Sequence, residues 1–274
     1  MSNSDLFDVN GQVAAITGGA GVLCAEMAKS LGRAGAKIAL LDIGEEAMEK
    51  LSSELEADGI ETISIKTNVL DKSSIQAAAE EVVEKFGRVD ILINGAGGNK
   101  PAATTGPDNA FFDLPEDAVK WVFDLNFMGT FLACQVFGKY FAEQKSGNII
   151  NISSMNAITP LTKIPAYSAA KAAVSNFTQW LAVHMSHNYA TEIRVNGIAP
   201  GFLLTDQNRF LLTNESDGSL TDRGQTIIDH TPSGRFGKPE DLVSTIMWLV
   251  APSSKFIHGT VVPIDGGFSA FSGV

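Results

Sequence analysis

Cysteine is scarce: the 274 residues hold two, Cys24 and Cys134, each inside a stretch that reads as a helix packed on a sheet. Two thiols build no disulfide framework, and reduced core cysteines are expected. Basic residues are also short, 20 Lys and Arg against 31 Asp and Glu, for a net charge of −11. A nucleic-acid partner demands a basic face, so that class is excluded. A small anionic substrate is not, because one or two cations inside a cleft outweigh distant, screened surface charge. No apolar run approaches the roughly eighteen residues of a membrane span. Residues 1–12 lack the basic start and apolar stretch of a signal peptide, which makes the cytoplasm the expected compartment. His184, His187, His230 and His258 are scattered, and nothing shows metal-ligand spacing, so no metal is expected. Solenoid repeats and low-complexity linkers are missing too.

What is present is 45% hydrophobic and 19% charged, enough to fill a substantial core. Short β-branched or aliphatic runs at 13–17, 37–42, 62–67, 90–93, 148–152, 194–198 and 261–264 alternate with helical patterns such as 23–34, 45–58 and 72–86. That alternation predicts an α/β fold: one domain over 1–274, built on about seven parallel strands with helices on both faces. Two segments break the rhythm. Residues 97–115 are rich in Gly, Pro, Thr, Asn and Asp, and 202–239 are long and mostly polar; both follow strands. Ligands of open α/β sheets bind beyond the carboxyl ends of strands, so both segments are expected to wall a substrate pocket rather than to be tolerated surface insertions.

The first strand runs into Thr17, Gly18, Gly19, Ala20, Gly21, Val22 and Leu23, and from there into a helix. A glycine-rich turn at a helix N-terminus lets backbone N–H groups meet a pyrophosphate, although such turns also arise for purely steric reasons. Asp42 ends the second strand, 21 positions after Gly21. An acid there can hydrogen-bond adenosine ribose hydroxyls and repel an added 2′-phosphate; neither the turn nor Ile43 and Gly44 supplies a cation to welcome one. NAD is therefore expected over NADP, against the plain alternative of a solvated strand-end aspartate. A second small-residue turn, Asn94, Gly95, Ala96 and Gly97, closes the fourth strand, where backbone can approach a planar ring.

Pro165 opens a long helical pattern containing Tyr167 and Lys171. Residues i and i+4 share a helix face, so phenol and ammonium point the same way. A free tyrosine has a pKa near 10; a lysine cation beside it, with the positive nicotinamide ring, would favour the phenolate. Ser154 lies thirteen residues earlier at the end of the fifth strand, placed to donate to a substrate oxygen. Asn126 precedes an apolar helix and reads equally as a helix cap.

Taken together, from Val13 to Gly267, these residues resemble the short-chain dehydrogenase/reductase family and its Rossmann-type doubly wound fold. The glycine turn, Asn94 to Gly97, Asn126, Ser154, Tyr167, Lys171, Pro200 and Gly201 with Thr205, and Asp265 to Gly267 appear in the family's order. The resemblance implies that Tyr167 is the general acid/base, that Lys171 binds the nicotinamide ribose and tunes Tyr167, and that Ser154 positions the reacting oxygen. It further implies that Asn126 supports a proton relay through a bound water, and that Pro200, Gly201 and Thr205 line nicotinamide and pyrophosphate. Asn68, where the family often has aspartate, and Val69 fall on the adenine side. Val22 and Cys24 stand where the family turn commonly has glycine, which would shift the helix or narrow the pyrophosphate seat. Stretches 152–171, 201–209 and 266–274 look most like the D-mannonate oxidoreductase, or fructuronate reductase, branch. Membership also implies a homotetramer or dimer assembled through the long helices, 127–143 and 167–187.

A sugar-acid substrate needs a cation. Lys163 and Arg209 lead on position, ahead of Lys100 and Arg223, while Asn156, Gln207 and Asn208 are placed for hydroxyls. Each reads equally as a solvated side chain. The rivals are a relative acting on gluconate, a sugar alcohol or a 3-oxoacyl group, and an idle NAD-binding sensor; the intact proton-transfer set argues against the sensor.

Overall fold

The computed structural model describes residues 5–205 and 208–273. Its strands are β1 (Val13–Thr17), β2 (Lys37–Asp42), β3 (Thr62–Lys66), β4 (Ile91–Asn94), β5 (Gly147–Ile152), β6 (Ile193–Pro200) and β7 (Val261–Ile264). They form one sheet in the order β3-β2-β1-β4-β5-β6-β7, with every pair parallel. β1, β4 and β6 are buried at every residue, as strands covered on both faces must be. β7 is an edge strand, half-exposed, and tolerates Pro263 for that reason.

Alternate residues along the strands feed two cores. Ile16, Leu40, Ile93 and Ile150 pack with Met27 and Leu31 of α1 (Val22–Arg33), Leu51 and Leu55 of α2 (Glu45–Ala57), and Leu249 of a later helix. On the opposite face Ala15, Leu41, Leu92 and Ile149 meet Ile75 and Val82 of α3 (Lys72–Phe86), as well as Phe137, Phe141, Phe177 and Leu181 from two long helices. This is the doubly wound arrangement expected, a Rossmann-like fold organised around a single sheet. Among the described residues no helix is long and apolar enough to cross a membrane.

A helical stretch follows β4: α4 (Glu116–Phe123), one π-helical turn at Asp124–Met128, then α5 (Gly129–Gln144). Asn126 is thus no helix cap. It sits in the π turn, fully buried, where the extra residue per turn bulges the chain toward the strand ends. After β5 comes α6 (Pro165–Asn188), with Pro165 in its first turn, where a missing N–H costs nothing. The segment 202–239, which the sequence suggested to be loop, carries α7 (Arg209–Leu212) and α8 (Asp222–Asp229), with isolated bridges at Leu203–Gly237 and Thr213–Leu220. α9 (Val243–Val250) then returns the chain to β7. Both cysteines are unpaired and buried, and burial pushes each thiol up to about 12.

The sheet order reverses between β1 and β4. All strands being parallel, their carboxyl ends share one edge, and the crevice at such a reversal is where open α/β sheets take ligands.

Candidate active site

Around that crevice the backbones approach too closely for side chains. A Cβ on Gly18, at φ +63, would lie 2.8 Å from the Ala96 backbone, and one on Gly95 would lie 2.1 Å from the Cys24 sulfur. Cys24 therefore fills the space beneath the turn, where it is 5% exposed, and does not protrude into the crevice; Val22 stays partly exposed beside it. The Thr17 hydroxyl accepts the Gly95 and Ala96 N–H groups at 3.2 and 3.4 Å, tying the two turns together.

α3 has its N-terminus capped by the Asp71 carboxylate, which accepts the Ser73 N–H at 2.9 Å. α1 has no such cap: Gly21 supplies no side chain, and its first turn holds no acid. Open N–H groups with the positive end of the helix dipole suit a pyrophosphate. Asp42 braces the turn, its two oxygens accepting Ala20 N–H at 3.1 Å and Gly44 N–H at 3.0 Å. A carboxylate has about four acceptor sites, so capacity for ribose hydroxyls remains. The crevice thus fits a dinucleotide. Beyond β3, the Asn68 carbonyl oxygen is taken by the Leu70 N–H at 3.0 Å, which leaves its NH2 as donor, and buried Val69 packs under Gly129. The Asn94 side chain faces the sheet interior instead of the crevice. It donates to Asn151 at 2.8 Å and to the Cys134 sulfur at 3.2 Å, while Asn151 donates to Thr178 at 2.9 Å.

The reacting groups gather beside this crevice. Lys171, 4% exposed, donates to the Ile152 carbonyl at 2.8 Å, and its ammonium lies 5.6 Å from the Tyr167 ring centre. Burial pushes Lys171 down from near 10.5 to about 8. Tyr167 is pushed above its ordinary value by burial, opposed by a hydrogen bond from Ser154. Burial thus outweighs the Ser154 hydrogen bond at Tyr167, while the lowering expected from the sequence takes Lys171 and the positive nicotinamide ring together. Ser153, one residue before Ser154, anchors the helix by donating to the Lys171 carbonyl at 3.0 Å.

Asn126 holds the opposite wall. Its amide donates to the Gly98 and Val122 carbonyls, both at 2.7 Å, and accepts the Gly98 N–H at 3.1 Å. A Cβ on Gly97 would lie 2.6 Å from the Asn126 oxygen and 3.2 Å from the Lys171 nitrogen, so only glycine fits between them. These bonds commit the Asn126 amide to backbone.

The substrate candidates scatter. Asn208 is consumed within its own loop, accepting the Thr205 N–H at 2.9 Å and donating to the Leu203 carbonyl at 2.8 Å. Asn156 is engaged with Ser154 and the Leu161 N–H. Gln207 lies outside the described residues. Lys163 and Arg209 are exposed; the Lys163 carbonyl accepts the Thr105 N–H at 2.9 Å, joining the loop after β4 to the loop before α6. Lys100 lies 5.2 Å over the Trp121 ring. Pro200 ends β6, and Gly201 lies so close to Asp265 that a Cβ would stand 2.6 Å from its Cα.

The sequence matches the short chain dehydrogenase family model over residues 12–216. The chain belongs to the short-chain dehydrogenase family. Like the family, it is an oxidoreductase of CH–OH groups that uses a nicotinamide cofactor. Among similar short-chain dehydrogenases, the uncharacterized oxidoreductase UxuB of Bacillus subtilis is 50% identical over 273 residues, covering 96% of this chain and 97% of its own. The 5-keto-D-gluconate 5-reductase of Escherichia coli is 32% identical over 265 residues, covering 96% and 98%. The structure of a candidate D-mannonate oxidoreductase from Haemophilus influenzae with bound NAD superposes with a TM-score of 0.92 at 47% identity, over 99% of both chains.

Proposed function

We propose that this short-chain dehydrogenase interconverts D-fructuronate and D-mannonate, or a closely similar six-carbon keto and hydroxy acid, with NAD(H). The observation that carries the reading is the convergence of Tyr167, Ser154 and Lys171 beside the uncapped α1 turn, supported by the likeness to the Haemophilus influenzae structure.

The bound nicotinamide supplies hydride transfer. Thr17, Gly18, Gly19, Gly21, Val22 and Leu23 seat the pyrophosphate, Asp42 takes the adenosine ribose, and Asn68 and Val69 flank adenine. The backbone of Asn94, Gly95, Ala96 and Gly97 would let the nicotinamide ring approach closely, and Pro200, Gly201 and Thr205 would line the nicotinamide and pyrophosphate. Tyr167 moves the proton to or from the substrate oxygen, and Ser154 donates to that oxygen. Lys171 supplies the cation that favours the phenolate. Asn126 acts by position, fixing Gly97 and Gly98 against Lys171. The segments 97–115 and 202–239 wall the substrate, and Arg209, on the second, with Lys163, in the loop before α6 that Thr105 of the first bonds to, are the proposed partners of its carboxylate. Assembly into a homotetramer or dimer uses α5 and α6, whose outer faces border a groove of about 410 Å³ lined by Phe131, Phe177, Trp180 and Tyr189.

A substrate panel read by absorbance of the reduced cofactor tests this. Fructuronate with NADH and mannonate with NAD should give the highest kcat/KM among uronates, aldonates, sugar alcohols and 3-oxoacyl thioesters. Efficient reduction of 3-oxoacyl thioesters or neutral ketoses, with uronates ignored, contradicts the assignment while leaving the Tyr167 chemistry standing.

A further inference from the structure

Ser154 accepts two hydrogen bonds from a single residue. The Asn156 backbone N–H reaches its Oγ at 3.3 Å and the Asn156 side-chain Nδ2 reaches it at 3.4 Å. Both residues are 7% exposed, so water competes little for these contacts. A serine hydroxyl has two lone pairs and one proton. With both lone pairs engaged, what remains is the proton.

The orientation of the Asn156 amide follows from its other end. Its second polar atom faces the Leu161 backbone N–H at 3.2 Å. A backbone N–H only donates, so the atom facing it is the carbonyl oxygen Oδ1, and the atom facing Ser154 is the NH2. Turning the amide over would set two donors against each other at Leu161, and that half-buried N–H would lose its partner. The loop carrying Leu161 therefore fixes the amide, and the amide fixes the hydroxyl.

We infer that Asn156 is a positioning residue that sets the direction of hydrogen bonding at Ser154, forcing Ser154 to act as a donor to the reacting oxygen and never as an acceptor from it. The inference rests on the proposed role of Ser154 and deepens it. In alcohol oxidation the substrate O–H has two candidate acceptors, Ser154 and the Tyr167 phenolate. Closing Ser154 to acceptance leaves Tyr167 as the destination. The O–H bond breaks with its proton passing to the Tyr167 oxygen, and the carbinol C–H bond breaks with its electron pair leaving as hydride to the nicotinamide. Ser154 keeps its own proton throughout. In reduction the same donor polarises the carbonyl before the proton arrives from Tyr167.

The test compares Asn156→Asp and Asn156→Ala with wild type across pH 5.5 to 9, on whichever carbonyl substrate the wild type reduces. A wrong sugar-acid assignment changes the substrate used and leaves the comparison intact. The Asp side chain keeps an acceptor for Leu161 but, once ionised, presents an acceptor to Ser154 and draws its proton away. Burial at this site lifts the new carboxyl above its ordinary value of about 3.9, so the expected result is a kcat at least about tenfold below wild type at pH 8, recovering as pH falls to 5.5 and the carboxyl regains a proton to donate. Asn156→Ala, which deletes one donor and adds no acceptor, should lose less in kcat and keep the wild-type pH profile. An Asn156→Asp kcat profile parallel to wild type overturns the inference. If that variant does not fold, Asn156→Ala decides: a lowered kcat with little change in KM supports it, and an unchanged kcat overturns it.

Discussion

Lys171 shows how a single residue is set against the stability of its own fold. Its pKa stands near 8 in the folded chain, against about 10.5 when solvated. Between those values the unfolded chain binds the additional proton, so this group's contribution to stability increases with pH across that window. Below about pH 8 the full penalty for burying the ammonium is present. In urea unfolding from pH 7.5 to 9.5, wild type should gain on Lys171→Met, by at most about 1.4 kcal/mol per pH unit. A difference independent of pH would mean that Lys171 is not held in that depressed state. At this scale the residue types were readable from the sequence but their partners were not. Tyr167, Lys171 and Ser154 stand out by spacing, whereas the commitment of Asn126 and Asn208 to backbone, and of Asn156 to Ser154 and the Leu161 N–H, depends on loop conformations that no local pattern encodes. Polar Asn151 inside the buried strand β5 and Ser153 just past its end are a legible sign of the network that anchors α5 and α6.

Elements were read more faithfully than contacts, because burial on both faces imposes its own sequence pattern. All seven strands fall within two residues of their expected ends, and α6 begins at the proline that marked it. What failed to show were α7 and α8, helices of only four and eight residues set in a long, mostly polar stretch, and the π turn, whose inserted residue imitates an ordinary helix start at Asn126. The β1 turn and the end of β2 together carry the proposed preference for NAD over NADP. Asp42, bonded to Ala20 and Gly44, is held where a 2′-phosphate would approach it. Like charges about 4 Å apart repel by about 1 to 4 kcal/mol per unit charge in surroundings between water and a protein surface. The ratio of kcat/KM for NADH over NADPH should therefore exceed about tenfold and fall sharply in Asp42→Ser. Equal efficiencies in wild type would remove Asp42 from the account.

For the whole molecule, the parallel order β3-β2-β1-β4-β5-β6-β7 explains why residues from four distant stretches of chain meet. Thr17, Asn94, Ser154 and Pro200 all lie at the carboxyl ends of strands, and parallel pairing brings those ends to one edge. The alternation of strands and helices made that edge legible before any contact was known. The central claim is that one phenol at this edge moves the proton. It is tested most directly by Tyr167→Phe, which keeps the ring packing and removes the hydroxyl. The measurement pairs steady-state turnover with isothermal titration of NADH on the same preparation. Cofactor affinity should stay close to wild type, with turnover at least about a hundredfold lower. Turnover near wild type, with the same affinity, would show that another group moves the proton.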